Sequence, residues 1–469
     1  MKIEQIYTGC LAQGAYYIES KGEVAIIDPL REVKPYIEKA AGNKARIKYI
    51  FETHFHADFV SGHLTLSRET GATIIYGPNA NPDFEVQIAK DGQEFKLGDL
   101  TIRTLHTPGH TMESTTYLLI DDKGNEHAIF SGDTLFLGDV GRPDLAQKAA
   151  DMTQEQLAGT LYDSLRNKIM PLPDEVLVYP AHGAGSACGK NMMKETVDTL
   201  GNQKKMNYAL RADMSREEFI EEVTAGLLPP PKYFPLNVKM NKEGYDDIDL
   251  VLKKGSQELE PEDFERAANE TGAVVLDVRE AQQFGRGHIP RSVFIGLDGT
   301  FAPWVGALIA DVQQPILLVV EEENLEEALT RLSRVGFDNT IGFLKGGFQA
   351  WKKAGMEYDT VTSVSAEIFK EILEEQVPVF DVRRNGEYLA ERLEAAENTP
   401  LDFLNDYLKD FPADKPFYLH CAGGYRSMIA ASVLKSRGIH NLIDVKGGFK
   451  AIKEAGIPVT EAICPSQLV

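Results

Sequence analysis

The sequence predicts a multi-domain α/β protein. Three observations carry that prediction: the length, the alternation of short β-rich runs with helical periodicity, and an internal repeat in the second half. At 469 residues the chain is too long for one compact core, and length alone suggests about three domains. Its hydrophobic content of 43% is ordinary for globular protein, so core material does not limit folding.

In the first half, residues 24–27, 47–51, 72–76 and 175–179 are apolar or β-branched runs between polar turns, and they read as strands. Residues 153–170 carry the 3.6-residue period of an amphipathic helix. The run Leu228-Pro229-Pro230-Pro231, followed by Pro235, cannot continue a helix and marks a linker.

Beyond it the chain repeats itself. Val275-Leu276-Asp277-Val278-Arg279 is answered by Val379-Phe380-Asp381-Val382-Arg383, and Lys345-Gly346-Gly347-Phe348 by Lys446-Gly447-Gly448-Phe449. Two anchors in the same order at nearly the same spacing indicate two copies of one small parallel α/β unit. The expected domains are therefore residues 1–235, 236–360 and 361–469.

Composition narrows the function classes. A net charge of −22 disfavours a nucleic-acid surface, which needs basic patches to neutralise phosphate. No run approaches the ~20 apolar residues of a membrane span, so no membrane partner is expected. The start, Met1-Lys2-Ile3-Glu4-Gln5-Ile6, lacks the basic and apolar regions of a signal peptide. Four scattered cysteines, Cys10, Cys188, Cys421 and Cys464, form no disulfide framework. A reducing, cytoplasmic location is expected, where a special cysteine is chemical rather than structural.

The sharpest motif is Thr53-His54-Phe55-His56-Ala57-Asp58-Phe59, directly after an apolar strand. His-x-His-x-Asp at a strand end presents imidazoles and a carboxylate at one sheet edge, where a metal can collect them. His110, Asp133 and His182 follow in the same way, each at the end of an expected strand.

Together these segments resemble the metallo-β-lactamase superfamily over residues 1–235. The resemblance implies an αββα sandwich with metal at one edge of the paired sheets. Members with two metals read His-x-His-x-Asp-His, whereas here Phe59, which has no donor atom, follows Asp58. What remains is His54, His110 and Asp133, a two-histidine, one-carboxylate set that suits mononuclear Fe(II) with open positions.

This is how the persulfide dioxygenase (sulfur dioxygenase) branch looks. The resemblance implies iron held by those three residues, with His56, Asp58 and His182 orienting them. Arg142, in Gly141-Arg142-Pro143-Asp144, is expected to contact an anionic group of a low-molecular-weight thiol persulfide. Tyr179 is expected to donate a hydrogen bond into the site. Cys188, on a small-residue loop after His182, is expected near its mouth, carrying a persulfide in transit.

In the second repeat, the strand Phe417-Tyr418-Leu419-His420 ends in Cys421, followed by Ala422-Gly423-Gly424-Tyr425-Arg426 and an apolar helix. A short glycine loop opening a helix turns backbone N–H groups toward the cysteine and favours its thiolate. Gly423 and Gly424 are expected to line the substrate site, and Arg426 to add a positive charge for an incoming anion. The loop resembles that of rhodanese-type sulfurtransferases, which implies a Cys421 persulfide intermediate. Phosphatases with a related fold use a longer Cys-x5-Arg loop; here four residues separate Cys421 from Arg426.

The first repeat places Val320 opposite Cys421, followed by Glu321-Glu322-Glu323. It is expected to be non-catalytic, because an acidic segment cannot stabilise a thiolate.

The fusion implies coupled chemistry: oxidation of a thiol persulfide by O2 to sulfite, then transfer of persulfide sulfur to sulfite through Cys421, giving thiosulfate in sulfide detoxification. Two alternatives stand beside it. One is a dinuclear zinc thioester hydrolase of the glyoxalase II type with appended rhodanese domains; the other is a non-enzymatic sulfur-carrier scaffold. Superfamily relatives suggest a homo-oligomer.

Overall fold

The computed structural model describes residues 1–462; Cys464 lies outside them. Packing divides the chain into two units. The first is Met1–Asp249 with the short segment Leu332–Gly336, and the second is Leu250–Arg331 with the residues from Phe337 onward.

In the first unit two six-stranded sheets form, each with its strands side by side in chain order. One contains Lys2–Thr8, Gln13–Ser20, Glu23–Ile27, Arg46–Phe51, Thr73–Tyr76 and Gln87–Ile88. The other contains Glu94–Leu97, Leu100–His106, Thr115–Ile120, Glu126–Gly132, Leu177–Pro180 and Asp198–Thr199. Between them lies a core that draws Tyr16, Ile27 and Phe51 from one sheet and Phe95, Tyr117 and Phe130 from the other.

Each outer face carries helices. Lys34–Gly42 and His63–Thr70 supply Tyr36, Ala40 and Leu66 against Ile26, Ile47 and Ile74. Gln154–Ser164 and Arg216–Thr224 supply Leu161, Phe219 and Val223 against Leu118, Ile129 and Val178. Covered on both sides, the central strands are apolar almost throughout; every residue of Thr115–Ile120 is buried. The expected αββα sandwich is the observed one.

The helix foreseen over residues 153–170 starts at a Thr153–Gln156 capping box and closes with a π-helical turn, Leu165–Ile169. The proline run 228–231 is neither helix nor strand. The helix after it, Phe234–Glu243, still counts with the first unit. Its buried Asn241 donates to the carbonyls of His56 and Phe59 (both 2.8 Å) and accepts from the Ser61 N–H (2.8 Å), which pins the histidine-rich turn.

The second unit holds two five-stranded parallel sheets of the same topology. In spatial order the first runs Glu258–Leu259, Thr340–Leu344, Ile316–Val319, Val274–Asp277, Val293–Phe294. The second runs Ser363–Val364, Leu442–Val445, Phe417–His420, Val379–Asp381, Ala396–Asn398.

The repeated Asp-x-Arg has a structural cause. Arg279 folds back on Asp277 (2.5 Å) and bonds the Gly287 carbonyl, and Arg383 does the same with Asp381 (2.6 Å) and the Glu391 carbonyl. In both copies a buried carboxylate at a strand end is thereby neutralised. Among the described residues no helix is long and apolar enough to cross a membrane.

Candidate functional site

His54 ends the turn after Arg46–Phe51, His110 the loop before Thr115–Ile120, and Asp133 the strand Glu126–Gly132. Parallel pairing of Glu126–Gly132 with Leu177–Pro180 brings His182 alongside Asp133, and the Gly183 N–H bonds the Ala12 carbonyl (2.9 Å) to hold it there. All four side chains are buried.

Asp133 Oδ2 lies 3.8 Å from His54 Nε2 and 3.5 Å from His110 Nε2. Both spacings are below the roughly 4.2 Å set by two metal–nitrogen bonds of about 2.1 Å, so one ion can reach all three atoms. Asp133 Oδ2 is buried with no hydrogen-bond partner, as an atom reserved for a ligand is.

The other ring nitrogen of each histidine is tied down, which fixes its tautomer. Thr53 Oγ1 donates to Asp28 Oδ2 (2.9 Å), so its oxygen accepts from His54 Nδ1–H (2.9 Å). His110 Nδ1 faces the Arg142 carbonyl at 2.8 Å, which can only accept, so Nδ1 carries the proton. Both Nε2 lone pairs are thus left for a metal. Burial, reinforced by the neighbouring imidazoles, holds His54 well below the usual imidazole range and so neutral.

His182 Nδ1 donates to Asp133 Oδ1 (2.8 Å), and its Nε2 lies 2.8 Å from Asp58 Oδ2. Burial opposes its charge, but the carboxylates of Asp133 and Asp58 outweigh that and raise His182 well above its ordinary range. For Asp133, burial pushes upward, yet the facing imidazoles, His182 foremost, keep it below the usual carboxylate range. His56 turns Nε2 toward Asp28 Oδ1 (3.2 Å) and Glu52 Oε2 (3.7 Å), while the fully buried Phe59 ring packs on it, centroids 4.3 Å apart.

Asp58, His182 and Cys188 form a second close group, with one ligand atom from each within 4.8 Å of the others. Burial pushes the Cys188 thiol well up, and the Asp133 and Asp58 carboxylates push the same way; a neutral thiol is a poor nucleophile.

Two residues expected to contact substrate have partners within the protein. Arg142 is 6% exposed, and its guanidinium is already spent. It pairs with both oxygens of Asp144 (2.7 Å each) and donates to the carbonyls of Ala187 (3.3 Å) and Leu228 (2.6 Å). Its contribution to the site is its carbonyl, which orients His110. Gly141 beside it has to be glycine: a Cβ there would stand 2.1 Å from the Asp133 carbonyl oxygen and 2.9 Å from His110 Nδ1. Tyr179 lies in the stack between the sheets, parallel to Phe130 (5.4 Å) and edge-on to Tyr16 (5.4 Å), away from the metal donors. Strand alternation turns it that way.

At the second site, Cys421 is 1% exposed and its Sγ accepts from the Gly424 N–H at 3.1 Å. Gly424 caps the helix Tyr425–Ser436. The repeated Gly-Gly turn supports this loop: Phe449 N–H bonds the Cys421 carbonyl (2.6 Å) and Lys450 N–H that of Ala422 (3.1 Å). Gly448 sits at φ +57°, where a Cβ would come within 2.3 Å of the Cys421 carbonyl oxygen.

The register of the sheets sets Asp277 beside Val319 and Asp381 beside His420, so Val320 occupies the Cys421 position, as expected. The charge of Arg426 is not free for an anion, because Glu387 takes it bidentately (2.6 and 2.8 Å).

Sequence reasoning missed Asp28, Thr53, Asn241 and Glu387. The Asp28–Thr53 spacing carries no pattern, and the other two act across long sequence separations.

Comparison with known proteins agrees with this architecture. The metallo-beta-lactamase superfamily model matches residues 8–182, and the rhodanese-like domain model matches 260–354 and 365–455. Persulfide dioxygenase ETHE1, mitochondrial, of Homo sapiens is 30% identical over 224 residues, covering 47% of this chain and 78% of that protein. A hydroxyacylglutathione hydrolase of Rhizobium etli is 37% identical over 164 residues; the match covers 34% of this chain and 57% of the relative. The crystal structure of a metallo-beta-lactamase from Staphylococcus aureus subsp. aureus COL superposes with a TM-score of 0.65 at 28% identity, covering 73% of this chain and 98% of that one. With its paired sheets, edge-bound donor set and repeated parallel domains, the chain belongs to the metallo-β-lactamase superfamily and carries two rhodanese-like domains behind its metal-site domain.

Proposed function

We propose that the chain is a mononuclear non-haem Fe(II) persulfide dioxygenase coupled to a sulfurtransferase: it oxidises a low-molecular-weight thiol persulfide with O2 to sulfite and thiol, and transfers sulfur from a second persulfide to that sulfite to give thiosulfate in sulfide detoxification. One observation carries the reading: His54, His110 and Asp133 bring one donor atom each close together, and Phe59, next to Asp58 in the chain, offers no donor atom. Fe(II) held there would supply the one-electron chemistry that joins O2 to a thiolate-borne sulfur.

The protein's own groups do the rest. Thr53 and the Arg142 carbonyl orient the two imidazoles through their Nδ1 atoms. His182, between Asp133 and Asp58, holds a proton that keeps Asp133 Oδ2 free to bind metal. The overall oxidation balances as RSSH + O2 + H2O giving RSH, sulfite and two protons.

At the second site the Cys421 thiolate attacks the outer sulfur of another RSSH. A Sγ–S bond forms, the S–S bond breaks, and RS⁻ leaves to take up a proton. Sulfite then attacks that sulfur, releasing thiosulfate and restoring the thiolate.

The test is anaerobic reconstitution with Fe(II), followed by oxygen uptake and product analysis on a panel of persulfides. About one iron per chain with rapid uptake is expected, and Cys421→Ser should keep the uptake while shifting product from thiosulfate to sulfite. The likeness to a hydroxyacylglutathione hydrolase favours the second reading, a zinc thioester hydrolase. Two zincs per chain with thioester cleavage and no oxygen uptake would establish it instead.

A further inference from the structure

The first rhodanese-like repeat has lost every group that sulfur transfer requires, yet it does not stand clear of Cys421. A cavity of about 370 Å³ opens against the Cys421 loop. One wall is the loop itself with Gly424, Tyr425 and Lys446; the opposite wall is the non-catalytic repeat, including Glu280, Phe294 and Asp298.

The two walls are bonded together. The Tyr425 hydroxyl donates to the Gly296 carbonyl (2.7 Å), and the Phe294 N–H donates to Ser432 Oγ (2.9 Å) on the helix that the loop opens.

The volume is informative. Pockets for organic ligands begin at roughly 300 Å³, whereas sulfite or thiosulfate displaces only a few waters of about 30 Å³ each. The space suits a whole thiol persulfide with its carrier.

The charges are informative too. Arg426 is occupied by Glu387 and Arg279 by Asp277. Among the described residues, the rim charges left without an ion pair are the exposed Lys446 on the catalytic side and the exposed Glu280 and Asp298 on the other. Two carboxylates facing one ammonium disfavour an anion that brings no positive group. They suit a ligand that carries both an ammonium and a carboxylate.

We infer that the non-catalytic repeat is the selectivity wall of the Cys421 site, and that the sulfur donor bound there is the persulfide of an amino-acid-type thiol. Its ammonium would face Glu280 and Asp298, and its carboxylate Lys446. The inference rests on the Cys421 sulfurtransferase reading above and deepens it.

The experiment uses the full chain under anaerobic conditions, so that no oxygen-dependent step consumes donor. Cys421 persulfidation is followed by rapid quench and intact mass, with glutathione persulfide, coenzyme A persulfide and thiosulfate as donors. For the parent chain, half-saturation is expected at the lowest concentration with glutathione persulfide, which has the ammonium the other two lack.

In Glu280→Lys/Asp298→Lys the glutathione persulfide concentration for half-saturation should rise about tenfold, since two exposed pairs become repulsions. The thiosulfate reaction should improve in the same protein. Such opposite shifts cannot come from damaged folding. Loss of both donors in parallel, or no change in either, overturns the selectivity wall and leaves Cys421 chemistry standing. Absence of persulfidation by every donor in the parent chain overturns both.

Discussion

Thr53→Val probes the hydrogen-bond chain behind the metal centre. Valine keeps the β-branched shape, so the packing of Thr53 is retained and only the hydroxyl is lost. That hydroxyl accepts from His54 Nδ1–H and donates to Asp28 Oδ2, each at 2.9 Å. Both partners are buried, and leaving one such group unpaired costs about 1–3 kcal/mol. The Asp28 bond to the Thr53 N–H (2.8 Å) survives, so the carboxylate stays in place and the His54 ring takes most of the effect. Free to turn or to move its proton, His54 presents its Nε2 lone pair for only part of the time. Loss of such an outer partner typically weakens metal binding by 10–100-fold, about 1.4–2.8 kcal/mol, in line with the cost of the orphaned group. The assay is anaerobic Fe(II) titration against a competing chelator, with metal content per chain as a second readout. An unchanged affinity in a normally folded variant would refute the view that the Asp28–Thr53 chain sets the tautomer of His54.

Three further outcomes are expected. Gly448→Ala should abolish sulfur transfer while oxygen uptake persists, because its Cβ meets the Cys421 carbonyl oxygen at 2.3 Å; Gly347→Ala, also at positive φ but with nothing nearer than 3.6 Å, should cost about 1 kcal/mol of stability and no transfer, as read by unfolding and thiosulfate formation. Burial raises Asp444 to about 6, so the folded state binds a proton that the unfolded state has released. Its contribution to stability is therefore present at acid pH and falls by roughly 3 kcal/mol as pH rises from about 4 to about 6; denaturant unfolding of Asp444→Asn should lack that part of the slope, and an identical profile would count against it. Cys188→Ala should leave oxygen uptake near the parental rate, since burial keeps that thiol protonated; a collapse of uptake with iron still bound would instead give Cys188 a direct part in moving sulfur.

The architecture was legible because its signals are local. Strand runs and the doubled Asp-x-Arg and Gly-Gly anchors are each read within a few residues, and backbone preference acts at that range. The metal donors were legible for the same reason, each ending a recognisable strand. That Phe59 offers no donor atom could be read with no structure at all. The partners of the expected substrate contacts were not legible. Arg142 and Arg426 look like free cations in the chain, but the first is consumed by Asp144 and two carbonyls and the second by Glu387. Tyr179 stands three residues before His182, and strand alternation still sends it into the stack between the sheets.

By itself, then, the sequence determined which elements form, which residues can ligate metal and which of two repeats keeps a cysteine at its central strand end. Only the tertiary structure decided which nitrogen of each histidine is free, which arginines are already ion-paired, and that the first repeat lines the cavity at the Cys421 loop. Those properties depend on partners brought together by folding from distant parts of the chain. In a buried site of low polarizability the identity of those partners decides protonation and charge.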